Sequence, residues 1–131
     1  MMFKLLSPTL VAALLALLSF PAFASHPGAV QTGIASYYHD SLHGNRTASG
    51  QIYDKSKMSA AHKSLPLGSR VRVTDTRTGK SIVVRVNDRG PFIKGRIIDL
   101  SRRAAQKLGI IRRGITPVKV EVLNVVGERG A

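Results

Sequence analysis

The sequence predicts a small domain built mainly of β-strands, closed into a compact barrel with one or two short helices. Several short stretches alternate apolar and polar residues, as a strand with one buried face does, and turn-forming residues separate them. A single stretch, Arg102–Leu108, has the composition and both end signals of a helix. The chain has 131 residues, which is enough for one domain.

The strands are predicted, in chain order, at residues 33–38, 70–74, 82–86, 96–100 and 117–123. A further short apolar segment covers residues 58–62. Residues 75–79 have the composition of a hairpin loop, and residues 39–50 that of a longer polar loop. The helix is predicted to begin after Ser101 as its N-cap and to end before Gly109. Because it is only about two turns long, tertiary packing must hold it in place.

Residues 1–24 have the pattern of a removable secretory signal peptide. Lys4 gives a short positive start, residues 10–18 form an apolar run of nine, and residues 22–24 have the small-x-small form of a cleavage site. The alternative is an uncleaved anchor, but the run is well short of the ~20 apolar residues that a membrane-spanning helix needs. We therefore expect cleavage near Ala24 and a periplasmic or secreted product without a stable membrane span.

After the signal, the sequence predicts a flexible leader at residues 25–32, one barrel domain at residues 33–126 and a tail at residues 127–131. The chain contains no cysteine. This excludes disulfides, a thiol nucleophile, a thiolate metal site and a lipid-modified cysteine. We expect a monomer that folds by packing alone.

The charge balance is strongly basic, with 20 Lys and Arg against seven Asp and Glu. A net charge of +13 implies an anionic partner: nucleic acid, an anionic cell-wall polymer or a membrane surface. The positive residues are spread along the chain, there is no Trp and aromatic residues are few, so stacking on nucleic-acid bases is not indicated. We therefore expect no nucleic-acid partner.

Asp88 is the acidic residue whose position most favours chemistry. Counting by twos along the predicted strand, Val84, Val86 and Asp88 share the core-facing side, and the carboxyl comes where the strand stops. A carboxyl among apolar neighbours tends to keep its proton, as a general acid must. The alternative, which spacing alone leaves open, is that Asp88 ties the Gly90-Pro91 turn to its own backbone.

Other candidate side chains each have a structural alternative. Asp99 shares a face with Ile97, but an acid just before a helix is also favoured by the helix dipole. Asp54 is a weaker third carboxylate. His62 ends an apolar stretch; its ordinary pKa suits proton transfer, but a lone His is more often a satisfied core or surface group.

Two familiar site patterns are weak in this chain. His39 and His43 have the spacing of helical zinc ligands, but Gly44-Asn45 and the missing Glu argue against a metal. Ser49, His62 and Asp88 would be the members of a hydrolase triad, but the G-x-S-x-G elbow is absent. We expect neither a metal nor another cofactor.

Five sequence blocks between residues 33 and 101 carry a family resemblance. They read GIASYY at 33–38, RTASG at 46–50, AAHKSLPLG at 60–68, VNDRGP at 86–91 and KGRIIDLS at 94–101. In this order they resemble the rare-lipoprotein-A family of septal-ring lytic transglycosylases, which fold as six-stranded double-psi β-barrels. The resemblance covers roughly residues 33–122.

The resemblance implies cleavage of peptidoglycan glycan strands between N-acetylmuramic acid and N-acetylglucosamine, leaving 1,6-anhydro ends. It implies that Asp88 is the catalytic residue and His62 its support, and we add Asp99 as a second supporting residue. A family glutamate falls at position 51, where this chain has Gln51. Glutamine can form hydrogen bonds but cannot ionise. Gln51 therefore favours the alternative of a non-catalytic, expansin-like wall-binding module.

The remaining candidates are residues for binding sugars. We expect the cleft to include Gln51, Thr47 and Ser49. Three tyrosines are candidates for stacking on sugar rings, with ordinary strand packing as the alternative, and the cations are candidates for muramyl carboxylates. These candidates are Tyr37, Tyr38, Tyr53, Arg89, Lys94 and Arg96.

Overall fold

The structure is a computed structural model that describes residues 23–125. Six strands form a closed barrel, which confirms the predicted fold class. They are β1 (Val30–Tyr37), β2 (Ser59–His62), β3 (Arg70–Asp75), β4 (Ser81–Asp88), β5 (Arg96–Leu100) and β6 (Thr116–Asn124). A 3₁₀ turn (Asp40–Leu42) follows β1, and the helix α1 (Arg102–Leu108) lies between β5 and β6.

The order of strands around the barrel is β1, β5, β2, β4, β3 and β6, and β6 closes onto β1. Two neighbouring pairs, β1 with β5 and β2 with β4, are parallel, while the other four pairs are antiparallel. A parallel pair cannot be joined by a tight hairpin, so the chain must cross over between its members. The long segment between β1 and β2 belongs to such a crossover, and it carries the loop that meets Asp88.

The inward side chains explain the alternating sequence pattern. Val71, Val73, Val84 and Val86 are at most 1% exposed, and Leu100 is fully buried with them. The polar residues between them lie on the outer face. The barrel therefore holds an apolar core, as expected for strands with one buried face.

Helix α1 has the predicted ends. The Ser101 side chain accepts a hydrogen bond from the Ala104 amide, and Gly109 has a φ of 83° at the C-terminal end. Ala105 and Leu108 are buried against the barrel, which supplies the packing that so short a helix requires.

The strand bounds differ most from the predicted ones at the start of β1. Strand β1 begins at Val30 instead of residue 33, because residues 30–32 pair with Glu121, Val120 and Lys119 of β6. The last three residues of the predicted flexible leader therefore belong to the barrel.

The predicted signal segment lies outside the described residues except for Phe23 and Ala24, and the predicted tail lies wholly outside them. Within residues 23–125, no helix is both long and apolar enough to cross a membrane.

Candidate active site

The strand register places the two candidate aspartates in one row across the sheet. Asp88 of β4 lies beside Ala61 of β2, Ala61 lies beside Asp99 of β5, and Asp99 lies beside Ser36 of β1. Neighbouring strands are about 4.8 Å apart, so the backbones of Asp88 and Asp99 are roughly 10 Å apart, with the small Ala61 between them. Both aspartates are half-buried.

The Asp88 carboxylate accepts three hydrogen bonds. Oδ1 accepts from the backbone amides of Ala48, at 2.8 Å, and of Arg89, at 2.9 Å, and Oδ2 accepts from the Tyr38 hydroxyl. The expectation of apolar surroundings, drawn from Val84 and Val86, therefore does not describe this carboxyl. The β2–β4 register shifts between Ala60 and Ala61, immediately before Asp88, and the carboxyl meets polar donors. The bond from the Arg89 amide, which precedes the Gly90-Pro91 turn, is in keeping with the alternative left open by the sequence, in which Asp88 stabilises its own turn.

The turn at residues 46–52 delivers the Ala48 amide. Thr47 Oγ1 donates to the carbonyl of Gln51 at 2.7 Å and also contacts Ser49 Oγ at 3.0 Å. The Ser49 amide donates to the Asn87 carbonyl at 3.2 Å, which ties the turn to β4 next to Asp88. Thr47 and Ser49 thus shape the turn, and their predicted contacts with substrate stay a prediction.

Tyr38 is the tyrosine that meets the candidate acid. Burial, the hydrogen bond to Asp88 and the negative charges of Asp88 and Asp99 all raise the pKa of Tyr38, so its phenol stays protonated and remains a donor. Its ring stacks on Tyr53, with centroids 4.4 Å apart and an interplanar angle of 17°. Tyr53 is only 2% exposed, so its ring packs within the protein, which was the alternative to stacking on a sugar.

Tyr37 also has a structural partner, because its hydroxyl donates to the Ile111 carbonyl at 2.8 Å.

Asp99 forms an ion pair with Arg96, at 2.6 Å, and accepts a hydrogen bond from Ser36 Oγ at 2.8 Å. The start of the helix is capped by Ser101, so neither observed contact of Asp99 is with the helix end. Asp99 is therefore a fixed charge near the site.

His62 is buried and uncharged. Its Nδ1 accepts from the backbone amides of Ser64 and Leu65, and its Nε2 contacts Gln31 Oε1 at 2.9 Å, so the ring proton is on Nε2. Burial, followed by the positive charges of Arg89 and Lys63, lowers the pKa of His62 to about 4. Both ring nitrogens are engaged away from Asp88.

The catalytic triad considered from the sequence is not assembled. Ser49 Oγ contacts Thr47 and the Gln51 amide, whereas the ring of His62 has the partners given above. His39 and His43 likewise have separate roles: the Nδ1 of His39 accepts from the Ser41 amide, and that of His43 from the Lys55 amide. Within residues 23–125, no three His, Asp or Glu side chains are grouped to hold a metal.

A cleft of about 660 Å³ is lined by residues that include Asn87, which directly precedes Asp88. Gln51 lines it, and Gln51 Oε1 accepts a hydrogen bond from Asn87 Nδ2 at 3.2 Å. The other lining residues include Tyr53 and Ile52, and Ile52 is 49% exposed. Gln51 thus lines the cleft and is bonded to the residue before Asp88, and its contact with substrate stays a prediction.

The predicted cationic binders differ in how they are used. Arg89 Nη1 donates to the His62 carbonyl at 3.2 Å, and Arg96 pairs with Asp99, so both have protein partners. Lys94 lies exposed in the β4–β5 loop and stays a predicted contact for a carboxylate.

Comparison with known proteins identifies the family. The profile of the lytic transglycolase family, a double-psi β-barrel family, matches residues 30–120. The chain belongs to this family. It is 53% identical over 98 residues to the endolytic peptidoglycan transglycosylase RlpA of Pasteurella multocida, covering 75% of this chain and 33% of that protein. The RlpA protein of Vibrio cholerae is 50% identical over 107 residues, covering 82% of this chain and 41% of that protein. This lytic transglycolase chain thus spans only about a third to two fifths of those relatives' lengths.

Solved structures agree on the fold. The Streptomyces papain inhibitor superposes with a TM-score of 0.63 and 27% identity, over 75% of this chain and 97% of the inhibitor. An expansin of Clavibacter michiganensis gives a TM-score of 0.59 at 21% identity, over 72% of this chain and 50% of the expansin. At this low identity, the similarity to the expansin shows only that the two proteins share the barrel fold.

Several groups in this candidate site were not found from the sequence. The Ala48 amide contacts Asp88 through backbone, which no side-chain pattern reveals. Asn87 and Ser36 looked like ordinary strand residues, although both lie within blocks that carry the family resemblance. The register of β1, β5, β2 and β4 was the missing information, because only the register sets these residues side by side.

Proposed function

We propose that this chain is an endolytic peptidoglycan lytic transglycosylase, which cleaves the bond between N-acetylmuramic acid and N-acetylglucosamine and leaves 1,6-anhydro ends. The observation that carries the proposal is the half-buried Asp88 carboxylate, which accepts hydrogen bonds from three donors and directly follows Asn87, a residue that lines a cleft. The names of the relatives support the same reaction.

One carboxyl is enough for this reaction. The acid form of Asp88 gives its proton to the glycosidic oxygen as the C1–O bond of the muramyl sugar breaks. The resulting carboxylate then takes the proton from the C6 hydroxyl of the same sugar, as the C6 oxygen bonds to C1. Asp88 ends in its starting form, and no water is consumed. A hydrolase generally needs a second carboxyl to activate water or attack the sugar, which is not required here.

The surrounding groups keep Asp88 in place through both steps. The Ala48 and Arg89 amides donate to Oδ1 of Asp88. The other carboxylate oxygen, Oδ2, accepts from the Tyr38 hydroxyl. A hydroxyl both donates and accepts, so Tyr38 can turn to accept from the acid form of Asp88. Tyr38 therefore fits both protonation states of the carboxyl.

His62 and Asp99 act as positioning residues in this proposal. The His62 carbonyl accepts from the Arg89 side chain, and the Arg89 amide holds Asp88, so His62 fixes the segment that carries the acid. Asp99 is held by Ser36 and Arg96 in the same row as Asp88.

Gln51 sets the expected level of activity. A glutamate at this position would place negative charge in the cleft, where it would stabilise an oxocarbenium-like transition state. Gln51 instead supplies a neutral amide bonded to Asn87. We expect cleavage that is slower than with glutamate.

We further propose that the protein is exported, with the signal segment removed near Ala24, and acts as a monomer on glycan strands in the periplasm or outside the cell. The apolar run and cleavage pattern of residues 1–24 support export.

The test is digestion of purified glycan strands, with mass spectrometry for 1,6-anhydro-muramyl ends. Wild type is expected to form them, and Asp88→Asn is expected to lose activity by at least about 100-fold. Asparagine keeps an oxygen for the Ala48 and Arg89 amides, so this variant should fold. Glu121→Gln, which alters a half-buried carboxylate on β6 that pairs with Arg72, is the matched control and should retain activity. Gln51→Glu should increase the rate.

The outcomes separate the alternatives. If wild type forms no anhydro ends but binds glycan strands, the protein is a non-catalytic wall-binding module. If Asp88→Asn forms as much product as wild type, the catalytic role of Asp88 is wrong although the activity stands. An unchanged rate in Gln51→Glu would mean that charge at position 51 does not contribute.

A further inference from the structure

The cleft is also lined by cations that the proposed chemistry does not use. Arg85 and Lys57 line the cleft together with Gln51 and Asn87. Arg85 and Asn87 lie two residues apart on the outer face of β4, so they project on the same side. The positive charge of Arg85 is therefore two residues along β4 from Asn87, which directly precedes Asp88.

Arg85 also faces a second arginine. In the antiparallel pair of β3 and β4, Arg70 lies directly opposite Arg85, and both are exposed. Residues directly opposite have Cα atoms about 4.5 to 5.5 Å apart, and like charges at such positions destabilise a sheet. In the part of the chain that the structure describes, neither arginine forms an ion pair. The pair therefore costs stability in the free protein.

The backbone of this region is fixed. The Lys57 carbonyl accepts from Ser101 Oγ at 2.5 Å, and the Arg85 amide donates to the Met58 carbonyl at 3.2 Å. Lys57 and Arg85 therefore extend from neighbouring, anchored segments into one cavity. Such an arrangement presents cationic groups to a ligand without the need to order a loop.

The acidic residue among the cleft-lining residues, Asp54, is already occupied. Its carboxylate accepts from the Ser56 hydroxyl at 2.6 Å and from the Ser56 amide at 2.9 Å. These bonds, and to a smaller extent the charges of His43 and Lys57, lower the pKa of Asp54, so it is ionised. Asp54 offsets part of the charge of Lys57, which leaves the arginine pair as the main positive feature of the rim.

We propose that Arg85, with Arg70 and Lys57 beside it, forms a subsite that binds a carboxylate carried by the glycan strand. The inference rests on the proposed function, because each muramyl sugar of a peptide-free strand carries a free carboxyl group. The planar guanidinium of arginine binds carboxylates through two parallel hydrogen bonds. A bound carboxylate would also relieve the repulsion between Arg70 and Arg85. The subsite would fix which sugar lies next to Asp88.

The test measures binding without cleavage. All proteins carry Asp88→Asn, and the ligand is a peptide-free glycan oligomer, used either native or with its carboxyl groups amidated. Arg85→Glu is expected to weaken binding of the native glycan at least about tenfold. Amidation should weaken binding by the background protein to a similar extent and should have little further effect in Arg85→Glu. The difference between the two glycans should shrink at high salt.

The matched control is Arg77→Glu, the same charge change at an exposed site. Arg77 lies in the β3–β4 hairpin, at the opposite end of these strands from Arg85. It should keep binding within about twofold. An equal loss in Arg77→Glu would mean that only overall charge attracts the glycan, and equal binding of native and amidated glycan would mean that no carboxylate is recognised. Either result overturns the subsite.

Two further measurements complete the test. Arg85→Gln should leave the melting temperature unchanged or raise it, because it removes the repulsion with Arg70; a marked fall would assign Arg85 a structural role and overturn the proposal. Inorganic polyphosphate is the competing anion: if Arg85→Glu weakens only its binding, the carboxylate assignment is wrong. Because binding is measured in Asp88→Asn, the subsite proposal still holds if the wild-type protein binds glycan through Arg85 but does not cleave it. If the wild type cleaves glycan but its binding does not depend on Arg85, only the subsite proposal is overturned.

Discussion

The buried His62 should make the stability of this domain depend on pH between about 6.5 and 4. The pKa of His62 is lowered from 6.5 to about 4 in the folded protein, mainly by burial. A base whose folded pKa is lowered binds its proton more tightly in the unfolded state. Its full contribution to stability is therefore present above pH 6.5 and is lost as the pH falls toward 4.

The magnitude follows from the two pKa values. The full shift is equivalent to about 3 kcal/mol, and between pH 7 and pH 4.5 the loss from His62 is about 2 kcal/mol. The assay is urea unfolding at both pH values, followed by circular dichroism because the chain has no Trp. His62→Gln should be less stable than wild type at pH 7 but should lose about 2 kcal/mol less on acidification. His26→Gln, which changes an exposed histidine, should follow wild type.

The reasoning would be refuted if wild type and His62→Gln lost the same free energy of unfolding between pH 7 and pH 4.5. That result would mean that His62 is protonated in the folded protein, contrary to its two backbone donors at Nδ1.

Three substitutions test the packing that supports the site, each by the free energy of unfolding at pH 7. Ser101→Ala removes the helix cap and the bond to the Lys57 carbonyl, and should cost about 1 to 2 kcal/mol. Gly33→Ala places a Cβ 2.6 Å from Ile97 Cγ2 and should cost about 1 to 3 kcal/mol; the same substitution should cost less in an Ile97→Ala background, which lacks Cγ2. Asp75→Asn weakens a bond of 2.9 Å from Arg113 to a carboxylate that is 1% exposed, and should cost about 1 to 3 kcal/mol. Burial disfavours the charge of Asp75, but hydrogen bonds from the Arg77 amide, Thr116 and Arg113 lower the pKa of Asp75 overall. The wild type should therefore remain more stable than Asp75→Asn at neutral pH and lose this difference in the free energy of unfolding only below about pH 4.

The strands were predictable because their apolar residues alternate in a way that only one buried face explains. The helix was predictable because Ser101 and Gly109 are local signals that need no tertiary information. Residues 30–32 were missed because their strand character comes from pairing with β6, and their own sequence resembles a leader.

The candidate site was predicted less completely than the fold. Asp88 and Gln51 could be selected because their side chains carry chemistry and because a family pattern included their positions. The donors around Asp88 could not, since the Ala48 amide comes from a turn 40 residues away in sequence. The arginine pair at Arg70 and Arg85 depends on the β3–β4 register, which alternation alone does not specify.

The bonds to Asp88 have a consequence for how the protein folds. The carboxylate joins the chain to Tyr38, 50 residues earlier, and to Ala48, 40 residues earlier. Forming these contacts requires closure of long loops, and the parallel pairs β1–β5 and β2–β4 impose the same requirement on the barrel. Domains dominated by such distant contacts fold on the millisecond-to-second scale. The donors of the acid therefore meet it only when distant parts of the chain come together, and amide hydrogen exchange at Ala48 would report how often its bond to Asp88 opens.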